Sequence, residues 1–212
     1  MAQACQPFAD RFITPMAAVA GAVADEILAS IRPMPPLRRV LINNGGDSAF
    51  YLGEGETVTI GLAARPEDLA LAGTITLAAS DPTRGVATSG WRGRSQSLGI
   101  ADAVTVLAVN AASADAAATV IANAVNIDHP AIARRPAHEV KDDSDLGDIP
   151  VTVAVDPLPE NAIAEALNSG EAEAMRLLQA RLIHGAVLLL QGQIRVIGTA
   201  EHRSLRVLQS CP

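Results

Sequence analysis

The sequence predicts an α+β fold in which a largely antiparallel sheet carries a few helices. Most of the expected strands follow one another along the chain without a helix between them. Hydrophobic residues make up 49% of the 212 residues and aromatic residues only 2%, so we expect a core of closely packed small aliphatic side chains. Because no low-complexity linker interrupts this length, we expect residues 1–212 to form a single domain.

In the first half of the chain, one helix is followed by a series of short strands. The helix is expected to begin after Thr14, with Pro15 at its first position, and to end before Pro33. Short runs rich in aliphatic and β-branched residues predict the strands, which are expected at residues 38–43, 49–52, 57–62, 73–79 and 86–89. Glycine-containing turns separate the first three of these strands.

The second half is predicted to alternate strands with two longer helices. The nearly continuous apolar run Ala103–Val109 predicts a central strand that is covered on both faces, and a helix is expected over Ser113–Val125. Residues 129–150 contain prolines and a run of acids, which favours a long surface loop. A strand, a helix and a closing hairpin complete the prediction, at residues 151–155, 159–180 and 183–197.

The charge and hydropathy of the chain argue against several classes of function. Its 23 acidic residues outnumber its 16 lysines and arginines, giving a net charge of -7, whereas nucleic acid binds to a basic surface. No apolar run approaches the roughly eighteen residues that suggest a membrane span. The N-terminus lacks a basic segment followed by an apolar one, and no hydrophobic segment precedes Cys5, so we expect a cytoplasmic protein.

Two polar features near the middle of the chain point to a phosphate-containing ligand. Asp115 and Thr119 lie four residues apart, so on a helix their oxygen atoms share one face and could bind Mg²⁺ or Ca²⁺. The segment Thr88–Gly90 offers hydroxyl and backbone N–H groups that could hold a phosphate. A structural alternative stays open, in which Asp115 is a first-turn acid favoured by the helix dipole and Thr119 packs its methyl group.

Four short motifs follow one another in a fixed order, and together they carry a family resemblance. They are the helix segment Ala20–Asp25, the turn Leu41–Asp47 with the sequence LINNGGD, the segment Thr88–Gly90 with the sequence TSG, and Ala114-Asp115 followed by Thr119. In this order they resemble motifs of the ApbE superfamily of flavin transferases. The resemblance spans approximately residues 14–123 of the chain.

The resemblance implies a T-fold-like architecture, with helices layered on one face of an antiparallel sheet and with an internal duplication as an open question. It implies an enzyme that cleaves FAD with the help of Mg²⁺ and moves FMN onto a hydroxyl group of a protein. The metal would be bound by Asp115 and Thr119, with a backbone oxygen near Ala17–Ala20 completing the site. We also expect a homodimer, because T-fold relatives assemble and the apolar elements exceed what one small domain buries.

Further ligand contacts follow from the same resemblance. Two groups of residues are expected to contact the flavin nucleotide: the turn residues Asn43, Gly45, Gly46 and Asp47, and the segment Thr88, Ser89 and Gly90. The first group would also suit a plain hairpin turn, and the second a polar strand end. Arg92 and Arg94 could together clamp a phosphate, with an ordinary solvated loop as the alternative.

The chain departs from the superfamily's motifs at two side chains, and it also lacks the P-x-T-G extension of the superfamily's histidine motif. Gly99 stands where active enzymes carry a histidine, and Ala20 stands where lysine is usual. Asp102 matches its motif and is the candidate general base. Three functions therefore stay open: a divergent Mg²⁺-dependent flavin transferase, a non-catalytic ligand-binding or scaffold protein, and an enzyme that acts on another small phosphorylated substrate.

Overall fold

A computed structural model describes residues 1–31, 37–63, 71–198 and 205–207, so the expected helix stop at Pro33 lies outside the described residues. The strands are β1 (Arg39–Asn44), β2 (Asp47–Leu52), β3 (Thr57–Ala63), β4 (Leu71–Ala78), β5 (Gly85–Ser89), β6 (Ala103–Ala108), β7 (Ile132–Pro136), β8 (Pro150–Val155), β9 (Gly185–Leu190), β10 (Gln193–Gly198) and β11 (Leu205–Val207). The α-helices are α1 (Ala2–Cys5), α2 (Val19–Ile31), α3 (Ala111–Ala124), α4 (Ala137–Val140) and α5 (Glu160–Gln179). Short 3-10 helices cover Gln6–Phe8 and Pro15–Ala18.

Six of these strands form one antiparallel sheet in the order β1–β2–β5–β6–β9–β10. β6 lies in the interior of the sheet and is buried along its whole length, as the apolar run predicted. A second antiparallel sheet has the order β11–β4–β3, and β7 pairs separately with β8. The α+β fold expected from the sequence is confirmed.

Helices α2, α3 and α5 lie side by side on one face of the six-stranded sheet. α2 packs on β1 and β2, α3 on β5 and β6, and α5 on β9 and β10, while α3 contacts both of the other helices. The β3–β4 pair covers the opposite face, so neighbouring residues of β5 enter different cores: Ala87 packs among the helices and Val86 against the β3–β4 pair. None of the described helices is long and apolar enough to cross a lipid bilayer.

Two carboxylates fasten α2 and α3 to each other. Asp25 of α2 accepts hydrogen bonds from Ala111 N at 3.0 Å and from Ala112 N at 2.8 Å, at the start of α3. Asp115 of α3 accepts a hydrogen bond from Gly21 N, near the start of α2, at 3.0 Å. All three bonds satisfy N–H groups that a helix start leaves without an intrahelical partner. Gly21 permits this close approach, because a Cβ atom there would lie 2.3 Å from the Ala111 carbonyl oxygen.

Three expectations about individual elements are corrected by the structure. Residues 129–150 do not form a long loop, since they contain β7 and α4. The helix expected from Pro15 begins as a 3-10 helix and becomes α-helical at Val19. α3 begins at Ala111 instead of Ser113, because the side chain of Asn110 caps the helix by accepting a hydrogen bond from Ser113 N at 2.8 Å.

Candidate functional site

Two clefts meet beside the turn that joins β1 to β2. The first cleft has a volume of about 660 Å³ and lies along β1, β3 and the end of β5. The second has a volume of about 440 Å³ and lies between residues 12–20 and residues 141–146, with part of α3 as its floor. Both clefts are lined by the same five residues at their junction: Ala20, Asp47, Arg94, Ser95 and Asp115.

Most of the residues expected from the sequence to form a site do converge on these clefts. The first cleft is lined by the following members of that set: Asn43, Gly45, Gly46, Asp47, Thr88, Ser89, Gly90, Arg94, Asp102 and Asp115. Thr119 lines the second cleft. The fold therefore brings together, at one junction, side chains that the sequence places in three distant segments.

The centre of the junction is a pair of carboxyl groups. Asp47 is only 7% exposed, and its Oδ1 atom accepts a hydrogen bond from Thr88 N at 3.1 Å. Its side chain also hydrogen-bonds to that of Asp115. Burial raises the pKa of Asp47 to about 6, and burial together with the charge of Asp47 raises the pKa of Asp115 to about 7. At a pH of about 6.5 the two groups therefore hold about one proton between them.

The oxygen atoms at the junction suit a hard divalent cation. Asp47 and Asp115 supply carboxylate oxygens, and Thr119 lies one helical turn after Asp115 with a hydroxyl group. Among the described residues, no group of three or more His, Cys, Asp and Glu side chains could hold a metal. Mg²⁺ commonly uses one or two carboxylates and takes its remaining ligands from water and substrate phosphates. Two carboxylates and a hydroxyl therefore fit Mg²⁺ together with a phosphate-containing ligand.

The position of Asp115 also corrects the structural alternative. Because α3 begins at Ala111, Asp115 is not in the first turn of its own helix. Its carboxylate instead meets the beginning of α2 through Gly21 N. Of the expected backbone metal ligands near Ala17–Ala20, the carbonyl oxygen of Ala20 already accepts a hydrogen bond from Asn44 Nδ2 at 3.1 Å.

The asparagine–glycine turn has a clear structural role as well as a place in the first cleft. Gly45 and Gly46 are the two loop residues of the β1–β2 hairpin, with φ angles of 70° and 114° that disfavour other residues. Asn43 donates to Ser48 Oγ at 2.9 Å and accepts from Gly46 N at 3.3 Å. The doubled glycine is therefore what this two-residue turn requires, and it does not by itself indicate a ligand.

Arg94 lies directly over this turn. Its Nη2 atom would be only 2.1 Å from a Cβ atom built on Gly45, so the absence of a side chain at Gly45 makes room for the guanidinium group. The positive charge of Arg94 also opposes the rise that burial causes in the pKa of Asp47. Arg94 therefore supplies a positively charged side chain at the junction.

Arg92 does not join Arg94 in the structure, which argues against the predicted joint phosphate clamp. Its Nε atom donates to Asp102 Oδ1 at 2.6 Å, and its guanidinium group lies 4.5 Å from the centroid of the Trp91 ring. Arg92 is absent from the lining of both described clefts. The charge of the neighbouring carboxylate and the face of the indole ring hold it away from the junction.

Asp102 is held in a way that argues against its expected role as a base. One oxygen accepts from Arg92, and the other, Oδ2, accepts from Gln191 N at 2.6 Å. The residue is 8% exposed. Both oxygens of the carboxylate are therefore already occupied by donors of the chain itself. The geometry favours a structural role, in which Asp102 joins the loop after β5 to the β9–β10 turn.

The TSG segment contributes less to a phosphate site than the sequence suggested. The backbone N–H of Thr88 donates to Asp47, and its hydroxyl group shares a 2.8 Å hydrogen bond with that of Thr105. Gly90 has a φ angle of 151°, and a Cβ atom there would lie 2.6 Å from the carbonyl oxygen of Asp102. Thr88 and Gly90 thus shape the end of β5, and the hydroxyl group of Ser89 is the part of the segment that suits contact with a ligand.

Gly99, which stands where the ApbE superfamily has a histidine, lies in a backbone contact outside the first cleft. The residue is buried, and a Cβ atom there would lie 2.0 Å from the carbonyl oxygen of Ala122 in α3. A side chain at this position would have to enter α3, so a histidine could not reach the junction from this backbone. The glycine is therefore explained by close packing of the loop on α3.

The sequence interpretation missed two features of the site. Asp47 was assigned to the ligand-binding turn, whereas the structure makes it the partner of Asp115. The walls of the second cleft were not expected at all, and they include Phe12, Met16 and Lys141. The placement of Asp47 directly after the two turn glycines was the available signal for the first feature. The walls carry no local signal, since they come from segments that meet only in the folded chain.

Comparisons with known proteins find relatives that are named UPF0280 proteins. It is 38% identical over 143 residues to a UPF0280 protein of Methanopyrus kandleri, an alignment that covers 68% of this chain and 55% of the relative. It is 41% identical over 115 residues to a UPF0280 protein of Methanothermobacter thermautotrophicus, covering 54% of this chain and 43% of the relative. A UPF0280 protein of Methanococcoides burtonii is 36% identical over 121 residues, or 57% of this chain and 49% of the relative.

The chain spans about half the length of the curated relatives that it matches. A family model described as AbpE bacteria matches residues 1–196, which include both clefts and their junction. The chain therefore belongs to the AbpE bacteria family.

Proposed function

We propose that this protein binds a phosphate-containing nucleotide together with a divalent cation, Mg²⁺ or Ca²⁺, and that a flavin nucleotide such as FAD or FMN is the first candidate. The observation that supports this proposal is the contact between the carboxyl groups of Asp47 and Asp115 at the junction of two clefts. Buried carboxyl groups in contact need either a proton or a cation between them. A cation would also attract a phosphate to the same place.

The charges that line the first cleft support the need for a cation. Asp47, Asp102 and Asp115 line it together with Arg94. Since Asp102 is already paired with Arg92, the charges nearest a phosphate would be those of Arg94 and the carboxyl pair. A phosphate ester would be repelled by the ionised pair unless positive charge were added. Binding of the nucleotide should therefore depend on Mg²⁺.

The reaction implied by the ApbE resemblance is the first one to test at this site. In it a hydroxyl oxygen of the acceptor attacks the FMN phosphorus of FAD, the bond from that phosphorus to the bridging oxygen breaks, and AMP leaves. A carboxylate of the Asp47–Asp115 pair could take the hydroxyl proton, and Arg94 could hold the phosphates. When bound, the cation would neutralise charge on the pyrophosphate. The second cleft opens onto the same residues and offers space for the acceptor.

Ligand binding without turnover is the second candidate, and Asp102 is the observation that favours it. Asp102 matches the aspartate of the superfamily's motif, but its carboxylate is already hydrogen-bonded to Arg92 and to Gln191 N, so it is poorly placed to move a proton. A non-catalytic member of the family would bind the nucleotide and Mg²⁺ but release no AMP. An enzyme for another small phosphorylated substrate would bind at the same junction and leave FAD intact.

Calorimetry with ADP tests the binding proposal. We expect heat of binding in the presence of Mg²⁺ and little without it, and we expect Asp115→Asn to weaken binding by about tenfold or more. Asp128→Asn is the matched control, because Asp128 is exposed and absent from the lining of the described clefts. Equal binding with and without Mg²⁺, or equal effects of the two variants, would contradict the proposal.

Turnover is tested separately with FAD, Mg²⁺ and an acceptor protein that carries a flavinylation sequence. Release of AMP that requires the acceptor would support the transferase. Binding of ADP without AMP release at any Mg²⁺ concentration would remove the transferase and leave the binding function.

We also propose that the protein is a cytoplasmic homodimer that binds neither nucleic acid nor membrane. Light scattering that gives the mass of one chain would contradict the dimer.

A further inference from the structure

The far end of the first cleft has two apolar walls that come from different sheets. Along β1, exposed and half-buried residues alternate, so Leu41 and Asn43 point to one face while Val40 and Ile42 pack toward α2. Leu41 is 50% exposed although it lines a cleft. It forms the wall on the side of the six-stranded sheet.

Ile60 forms the wall on the side of the small sheet. On β3, Val58 and Leu62 are buried at 7% and 5% exposure, and Ile60 lies between them on the same face. Unlike its two neighbours, Ile60 is only partly buried, and it lines the first cleft. The small sheet therefore covers β2, β5 and β6 but leaves a gap beside the edge strand β1.

The first cleft, to which these two walls belong, is also lined by residues without side chains. Gly61, Gly90 and Gly93 all line the same cleft as the two aliphatic residues. A space with aliphatic side chains on its walls and glycines around it suits a flat apolar group better than a hydrated one.

The distance from Leu41 to the junction matches the length of an extended nucleotide. Leu41 lies four residues before Gly45 on an extended strand, and at about 3.3 Å per residue this separates the two by roughly 13 Å. Arg94 lies over Gly45. An extended nucleoside diphosphate has about this reach between its ring and its terminal phosphate.

We infer that Leu41 and Ile60 hold the aromatic ring of the nucleotide whose phosphates lie at Arg94 and the Asp47–Asp115 pair. This inference rests on the proposed function, which it extends from the phosphates to the ring. The two side chains then select ligands that carry a planar ring over inorganic pyrophosphate and over sugar phosphates, while the junction binds the phosphates of all three.

The test compares ADP with inorganic pyrophosphate, both with Mg²⁺, in the parent and in Leu41→Asn. Losing the aliphatic contact should raise the Kd of ADP by about tenfold and leave that of pyrophosphate within about twofold. Leu41→Met should restore ADP binding. Val196→Asn is the matched control, because Val196 is 51% exposed on β10, the opposite edge strand, and it should change neither Kd. Melting temperatures check that each variant is folded.

The outcomes separate this inference from the proposal on which it rests. If the parent binds pyrophosphate with Mg²⁺ but Leu41→Asn changes both Kd values alike, or changes neither, the ring site is wrong and the phosphate site stands. If the parent binds neither compound, both the phosphate site and the ring site are wrong.

Discussion

Asp25 and Asp115 each hold the start of the other residue's helix. Asp25 of α2 accepts hydrogen bonds from two N–H groups at the start of α3, and Asp115 of α3 accepts one from Gly21 N near the start of α2. The two carboxylates differ in one respect, since only Asp115 also contacts Asp47 at the cleft junction. This contrast allows the structural role of a carboxylate to be separated from a role in binding a cation.

Replacing these two residues should therefore have different effects. Asp25→Ala should lower the free energy of unfolding by about 1–2 kcal/mol, the usual effect of losing a helix cap. It should keep the rise in melting temperature that Mg²⁺ gives the parent, because a ligand of the folded state stabilises it by mass action. Asp115→Asn should lose that rise. Thermal melts with and without Mg²⁺ measure both effects, and identical Mg²⁺ responses of the two variants would show that Asp115 is only structural.

The pH dependence of stability should report the Asp47–Asp115 pair. Both pKa values are raised from 3.8, to about 6 and about 7, so the folded state binds protons more tightly than the unfolded state. The stability that this provides is complete below pH 4 and is lost as the pH rises through 6 and 7. Relative to Asp47→Asn, the metal-free parent should lose on the order of 2 kcal/mol between pH 4 and pH 8.

Denaturant unfolding of both proteins across this pH range measures the difference. Asp128→Asn, which removes an exposed carboxylate, should follow the parent. A parent that gains stability relative to Asp47→Asn on going from pH 4 to pH 8 would reverse the predicted sign and exclude a proton shared by the pair.

The two turn glycines provide a test of Arg94. Gly45→Ala and Gly46→Ala should both destabilise the hairpin by about 1 kcal/mol or more, because each places a side chain at a positive φ angle. Only the Cβ atom at Gly45 would collide with Arg94, whereas no atom lies within 4 Å of one at Gly46. Calorimetry with ADP and Mg²⁺ should therefore show weaker binding for Gly45→Ala alone. Equal losses of affinity in both variants would mean that the position of Arg94 does not matter.

Asp102→Asn should affect stability more than binding. Replacing the charged partner of Arg92 and Gln191 N should cost about 2 kcal/mol of unfolding free energy. The Kd of ADP with Mg²⁺ should stay within about twofold of the parent value, because both oxygens of Asp102 are already paired with Arg92 and Gln191 N. If the variant is stable, binds ADP normally and yet loses an AMP-releasing activity of the parent, Asp102 is a base after all.

Local sequence patterns were enough to predict the parts of the site that depend on one segment. The four-residue spacing of Asp115 and Thr119 determined that both lie on one face of a helix. The glycines after Asn44 predicted a tight turn, and Gly45 and Gly46 form it. The apolar run at β6 predicted a buried central strand. In each case neighbouring residues determine the geometry, so no tertiary information was needed.

The remaining features of the site depend on contacts between distant segments. Asp47 meets Asp115 only because α2 and α3 pack beside the β1–β2 hairpin. Arg92 and Arg94 have the same spacing as two side chains on one side of a strand. The carboxylate of Asp102, which directly precedes β6, and the ring of Trp91 nevertheless hold Arg92 away from the junction. The sequence pattern alone does not show which of these two arginines pairs with a carboxylate in the folded chain.

The most direct test of the central idea counts the protons released when Mg²⁺ binds. At pH 6.5 the Asp47–Asp115 pair should hold about one proton, since its pKa values are about 6 and about 7. Calorimetric titration of the parent with Mg²⁺ in two buffers of different ionisation enthalpy should show release of about one proton at pH 6.5 and almost none at pH 8.5. Mg²⁺ binding without proton release at pH 6.5, or equal Mg²⁺ binding by Asp115→Asn, would contradict a cation site at this pair.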